Sequence, residues 1–267
     1  MREGDECPLS LGEAALLVAT HAYPDLDVSH YLQQIASASQ RLRARLPADA
    51  GRQHIIGMLN RFLFDELGFS GSSEDYYDPR NSMLNDVIDR KVGIPITLSI
   101  VYLEIGRLIG LPLAGVSFPG HFLVRCPMHG GIVVIDPFHG GITLSETGLR
   151  TLLAQTKVAS AGLPLHMHLQ PAGKREIIAR LLRNLRRIYE ESGALDRALE
   201  MADMILVATP EAPGELRERA ALYRKLDCYA AALRDFERFV SADPAALEDA
   251  THRETLAELR ELAARLH

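Results

Sequence analysis

A chain of 267 residues with 47% hydrophobic and 24% charged residues has the mixture of a globular protein, and enough apolar material for one large domain or two ordinary ones. A net charge of -6 speaks against a general phosphate-binding surface, because nucleic-acid binding usually needs a basic patch. Three cysteines, Cys7, Cys126 and Cys228, lie at long, irregular spacing without a CxxC pair, which argues against both a thiolate zinc motif and a disulfide framework.

MREGDECPLS, at the N-terminus, lacks an apolar signal segment, and no apolar run reaches the roughly 20 residues of a membrane span. The expected location is cytoplasmic, with neither membrane nor nucleic acid as partner. Residues 9–70 read as helical. LGEAALLVATHAY has apolar residues at helical spacing and stops before Pro24. DVSHYLQQIASASQRLRARL opens with Asp27 as an N-cap, and GRQHIIGMLNRFLFDELGF repeats the amphipathic pattern. SGSSEDYYDPRNS, Ser70 to Ser82, is rich in turn formers and reads as a long loop of the functional kind. A compact helix follows in MLNDVIDRKVG, with Asn81 and Asn85 flanking its start and Asn81 placed to cap it.

IPITLSIVYLEIGRLIGLP is apolar on nearly every face, so this helix should be buried. Pro95 suits its first position, and Gly110 and Pro112 suit its end. The period then changes to two. LAGVSF, HFLVRC and GIVVID read as three strands with short turns, hence antiparallel neighbours. From about Gly173 the chain is helical and repeats. Tyr189 recurs as Tyr223, Ala198-Leu199 as Ala232-Leu233, and Pro210 as Pro244, each at an offset of 34. That is the tetratricopeptide period, and Gly193 falls in the turn of the first unit. EDATHRETLAELRELAARLH is the expected capping helix. The basic run Gly173–Arg187 reads as the solvated face of an amphipathic helix.

FPGHFLVRCPMHGGIVVIDPFHGG holds a histidine, a cysteine and an aspartate, the side chains of a thiol-nucleophile site. Strand alternation puts His121 with Leu123 and Arg125 on one face and Cys126 on the other, which removes Cys126 from the set. Thr97 and Ser99, in the first turns of the apolar helix, remain as weaker hydroxyl nucleophiles that would need activation. Their bland alternative is a hydroxyl bonded to nearby backbone. His129 and His139 sit in glycine-rich turns. With His121 and Asp136 they make four possible metal ligands, but the spacing matches no recognised motif, and no metal or cofactor is expected.

Taken together, NSMLNDVIDRKVGIPITLSIVYLEIGRLIGLP, FPGHFLVR and IDPFHGG, followed by tetratricopeptide-like helices, resemble the transglutaminase-like superfamily and its SirB1-type branch. The resemblance implies a transglutaminase-like fold with His121 as base and Asp136 as its orienting acid. It also exposes a departure. In catalytic relatives a cysteine opens the helix, shortly after a glycine and about fifteen residues before the glycine that ends it. The same count back from Gly110 reaches Pro95, so Gly93–Pro95 stands where G-x-C would be, and proline offers no nucleophile.

The expected architecture is therefore α+β. A mainly helical part with a buried helix and a small antiparallel sheet occupies 1–170, and an all-α tetratricopeptide-like tail occupies 171–267. The expected function is non-catalytic: regulatory or scaffolding binding of a protein or peptide, with a recognition pocket of Pro95, Asn81, Asn85, Phe118 and Phe138 around His121 and Asp136. The alternative is a hydrolase or acyl-transferase on peptide or amide bonds that uses the His121–Asp136 pair with water, Thr97 or Ser99.

Overall fold

The computed structural model describes residues 9–72, 75–156 and 163–265. Cys7 lies outside them, as does part of the 70–82 loop. The chain divides into two compact units, Met1–Ile177 and Ile178–His267.

In the first unit, α1 (Leu11–Ala19) is capped by Ser10, whose hydroxyl accepts from Glu13 N. Asp27 does the same for α2 (Val28–Arg43), accepting from His30 N at 3.0 Å, as the N-cap signal predicts. α3 (Arg52–Asn60) runs on into a π-helical turn, Arg61–Glu66. The segment read as a loop contains a two-residue strand, β1 (Ser70–Gly71), and a 3₁₀ turn, Pro79–Asn81. Beyond it, α4 (Leu84–Arg90) ends at Lys91, which takes the left-handed conformation with φ 61°. β2 (Val92–Gly93) then pairs parallel with β1.

α5 (Pro95–Leu108) is the axis of this unit. Every residue from Pro95 to Gly106 is buried, as its all-round apolar sequence predicts. It packs against α1, α2, α4, the short ladder, and the sheet that follows. The helix ends before Gly110, whose φ of 89° reverses the chain.

The four-stranded antiparallel sheet has the order β3 (Ala114–Val116), β4 (Leu123–Met128), β5 (Gly131–Asp136), β6 (Ile142–Leu144). Val124 faces Ile135 across β4–β5, and Asp136 faces Ile142 across β5–β6. One side of it buries Val116, Phe118, Leu123 and Val134 with Leu149 and Leu153 of α6 (Glu146–Ala154) and with Leu169. β6 and α6 were not anticipated from the sequence. β4 also begins at Leu123, so His121 and Phe122 precede the strand instead of opening it.

In the tail, α7 (Lys174–Glu191) is followed by α8 (Leu195–Ala208), α9 (Pro213–Lys225), α10 (Tyr229–Ala242) and α11 (Ala250–Ala264). α8 and α10 begin and end 34 residues apart. Ala198 and Ala232 are both fully buried, which is what close helix contact asks of the small repeat residue. Gly193 turns the chain with φ 77°, and at the equivalent place Asp227 does so with φ 58°. Aspartate tolerates that region better than most residues. The basic run contributes to packing as well as to solvation. Arg183 and Arg186 both reach Glu215 of α9, at 2.6 and 2.9 Å. The guanidinium of Arg219 spans Asp235 and Asp203, at 2.6 Å to each.

Candidate functional site

The site sits at one end of the sheet. β5 ends in Asp136, and a 3₁₀ turn, Pro137–His139, follows directly. Asp136 caps its own turn: Oδ1 accepts from Phe138 N at 3.1 Å. Pro137 suits the first position, where no N–H is needed, and Gly140 closes the turn with φ 71°. Because β4 and β5 are antiparallel, the bend before β4 lies beside the turn after β5. Gly120, with φ 68°, brings the chain round so that His121 meets Asp136.

The second carboxylate oxygen of Asp136 receives two histidines. His121 Nε2 lies 2.9 Å from Oδ2, and His139 Nδ1 lies 2.7 Å from the same atom. The carboxylate is only 1% exposed, His121 11% and His139 54%. Burial pushes the Asp136 carboxyl up, but the hydrogen bonds and charge of His121, then those of His139, outweigh it and hold the carboxyl below its ordinary range. Asp136 is thus ionised at neutral pH and can only accept, so both facing nitrogens carry their N–H. A base function of His121 would then rest on Nδ1.

Neighbouring elements hold this turn on several sides. α5 packs against it. Gly71 of β1 lies so close that a Cβ there would stand 2.7 Å from the carbonyl and the ring of Phe138. Asn60 Nδ2 donates to Gly141 O at 2.7 Å, and Tyr102 of α5 donates its hydroxyl to Asn60 Oδ1 at 2.8 Å. Phe138 stands edge-on to His121 at 5.9 Å and to His139 at 5.0 Å. Tyr76 meets Phe138 at 6.5 Å and Tyr77 at 5.4 Å. Tyr76 is 40% and Tyr77 53% exposed, so an aromatic lip runs from the surface towards His121, beside a cleft of about 450 Å³ lined by Asp75–Asp78.

At the start of α5, Pro95 occupies the first helical position and is buried. Thr97 is fully buried and its hydroxyl is committed. It accepts from Ile94 N at 3.0 Å and donates to Asn81 O at 2.8 Å, with Ile94 O at 3.2 Å. This is the local backbone role, and it explains Gly93, where a Cβ would lie 2.8 Å from that hydroxyl. Ser99 is fully buried, and its Oγ has no hydrogen-bond partner among the described residues. Cys126 is fully buried; burial pushes its thiol up, and Arg52 only partly offsets this.

Several expectations need correction. Asn81 does not cap α4: the N-cap is Met83, without a side-chain bond, and Asn81 instead donates to Asp75 O at 2.6 Å and accepts from Arg90 at 3.1 Å. Its carbonyl, not its amide, ties it to α5. Phe118 belongs to the core behind the sheet, with no exposed surface, and so lines no pocket wall open to a partner. Pro95, Asn81 and Asn85 are likewise buried, leaving Phe138 as the partly exposed member of the expected pocket. His129 sits in the β4–β5 hairpin turn. His139, grouped in the sequence with His121, His129 and Asp136, does join His121 and Asp136, on the same carboxylate oxygen; an aspartate and a histidine three residues apart across a Pro-containing turn is the signal for that sharing.

The chain matches the family described as the transglutaminase-like superfamily over residues 29–183. The chain belongs to the transglutaminase-like superfamily. Residues 185–264 match the tetratricopeptide repeat. Relatives match along most of the chain. The UPF0162 protein of Xylella fastidiosa (strain Temecula1) is 39% identical over 242 residues, covering 90% of this chain and 86% of that protein. The Pseudomonas aeruginosa UPF0162 protein is 32% identical over 240 residues, 89% and 87% of the two chains. The UPF0162 protein YchA of Escherichia coli K12 is 30% identical over 223 residues, 83% and 81%. Among the described residues, no helix of this transglutaminase-like protein is long and apolar enough to cross a membrane.

Proposed function

We propose that this protein is a SirB1-type, non-catalytic member of its superfamily that works by binding another protein or a peptide in the cytoplasm, in a regulatory or scaffolding role. It has a transglutaminase-like part at 1–170 and a repeat tail at 171–267, and it engages neither membrane nor nucleic acid. The observation that carries the reading is the state of every candidate nucleophile. Pro95 has none to offer, Thr97 has its hydroxyl tied to Ile94 and Asn81, and Ser99 and Cys126 are fully buried. The tetratricopeptide match adds support, since such repeats commonly present peptide-binding surfaces. The aromatic lip of Tyr77, Tyr76 and Phe138 offers the exposed apolar area that a partner would cover.

The ionised Asp136 against His121 favours a second reading, a hydrolase or acyl-transferase in which His121 activates water. One comparison separates them. Amide and ester hydrolysis is followed across pH for the native chain and for His121→Ala. The binding reading expects no difference between the two. It also expects a partner captured by the full chain to be lost when Tyr76 and Tyr77 are both replaced by alanine. A hydrolysis rate that disappears with His121 would overturn it.

A further inference from the structure

A base–acid pair needs one histidine on the carboxylate. Here there are two, and the second has no role in the pair. His121 Nε2 and His139 Nδ1 converge on one oxygen of Asp136 at 2.9 and 2.7 Å, and the three donor atoms lie within 4.8 Å of one another. We propose that His121, Asp136 and His139 form a binding site for a first-row divalent metal ion of the zinc class. The inference goes beyond the binding reading above and does not rest on it.

Donor chemistry selects the ion. Two imidazoles and one carboxylate suit zinc and its neighbours. Calcium and magnesium want a shell of oxygens that three such donors cannot supply. Spacing is close to what the ion needs. A tetrahedral ion with bonds of about 2.0–2.1 Å sets its donors about 3.3 Å apart; the two histidine–carboxylate contacts, at 2.9 and 2.7 Å, would open by about 0.5 Å, and the two imidazole nitrogens, within 4.8 Å of each other, would close by up to about 1.5 Å. His139, at 54% exposure, has the freedom to give that shift. Each imidazole would turn a lone pair of its facing nitrogen to the ion and carry its N–H on the far nitrogen.

Support around the donors is of the kind metal sites use. The other oxygen of Asp136 is fixed by Phe138 N, which orients the carboxylate as an outer-shell hydrogen bond does. Phe138 packs edge-on against both imidazoles and is pinned by the backbone of Gly71. Three protein ligands leave at least one coordination position for water or for a donor group of a bound molecule. His139 is the exposed ligand, so that position opens on its side.

The test uses the full chain, free of any affinity tag and stripped with a chelator, titrated with zinc chloride in a calorimeter. One equivalent should bind. His139→Ala and Asp136→Asn should each weaken binding at least about 10-fold, and His129→Ala, in the hairpin turn, should leave it unchanged. His139→Gln, with far-UV circular dichroism on every variant, separates a lost ligand from a lost fold. Absence of stoichiometric binding would overturn the site, and so would equal affinity in His139→Ala or loss of binding in His129→Ala. Calcium or magnesium competing at equal concentration would overturn the assignment of the ion.

Discussion

Replacing Thr97 by valine keeps the shape of the side chain and removes only the hydroxyl. That hydroxyl accepts from Ile94 N at 3.0 Å and donates to Asn81 O at 2.8 Å. Ile94 is 1% exposed, and Asn81 and Thr97 are fully buried. Water does not replace a lost bond at such a place, so the N–H and the carbonyl are both left without their partner. A buried polar group left unsatisfied costs about 1–3 kcal/mol, and two that share one hydroxyl do not add fully, which gives about 2–4 kcal/mol for Thr97→Val. In a unit of 177 residues, that lowers the melting temperature by roughly 4–16 °C. Thr97→Ser keeps the hydroxyl and loses one methyl, at about 1 kcal/mol. Urea unfolding followed by circular dichroism should rank native above serine above valine, with an unchanged m-value. Valine within about 0.5 kcal/mol of the native chain would refute the structural role of the hydroxyl. It would reopen Thr97 as a nucleophile.

Other outcomes follow from single contacts. Gly71→Ala drives a Cβ to 2.7 Å from Phe138; an overpacking cost of about 1–3 kcal/mol should appear in the same urea titration, and an unchanged midpoint would contradict it. In a Cys7→Ser background, a disulfide reagent at pH 8 should modify one thiol quickly, the exposed Cys228, and Cys126 only after denaturant is added. The hydrogen bond to Asp89, followed by burial, holds the Tyr31 phenol up at about 12. Its folded value exceeds the unfolded one of about 10, so its contribution to stability is complete below pH 10 and is lost as pH rises through 12. Alkaline absorbance of native minus Tyr31→Phe should accordingly change near pH 12, not near pH 10. Pro95→Cys should create a thiol that alkylates with a pH profile below that of a free cysteine; an inert sulfur would count against Pro95 as the nucleophile position.

How much of this was legible depended on how local each cause is. The buried helix, the three strands and the 34-residue period were readable because side-chain pattern alone encodes them. The β1–β2 ladder was not, since two residues carry no periodicity and the pairing joins Ser70 to Val92 across intervening turns. β6 is just as short, and it too depends on a neighbour strand. Asn81 looked like a cap from its position; its actual ties run to Asp75, Arg90 and Thr97, which only the folded chain brings together. At the site, the His121–Asp136 pair was legible through the resemblance. The sharing of Asp136 by His139 was not, because it depends on the turn at Pro137–His139 being 3₁₀, which sets two side chains three residues apart on one side.

The start of α5 holds its shape with proline as its first residue. Proline at the first helical position sacrifices no hydrogen bond and fixes φ where the helix needs it. The adjoining Ile94 N–H is satisfied by Thr97, and Thr97 in turn anchors Asn81, so this helix end is complete without any contribution from residue 95. At the other side of the site the arrangement is the reverse. Asp136 is buried at a desolvation cost that an apolar residue would avoid, and His121, His139 and the N–H of Phe138 offset it. Stability alone therefore accounts for Pro95, whereas Asp136 caps its own turn with one oxygen and gives the other to two histidines. A buried carboxylate oxygen on which two imidazoles converge is the arrangement that the proposed metal site would use.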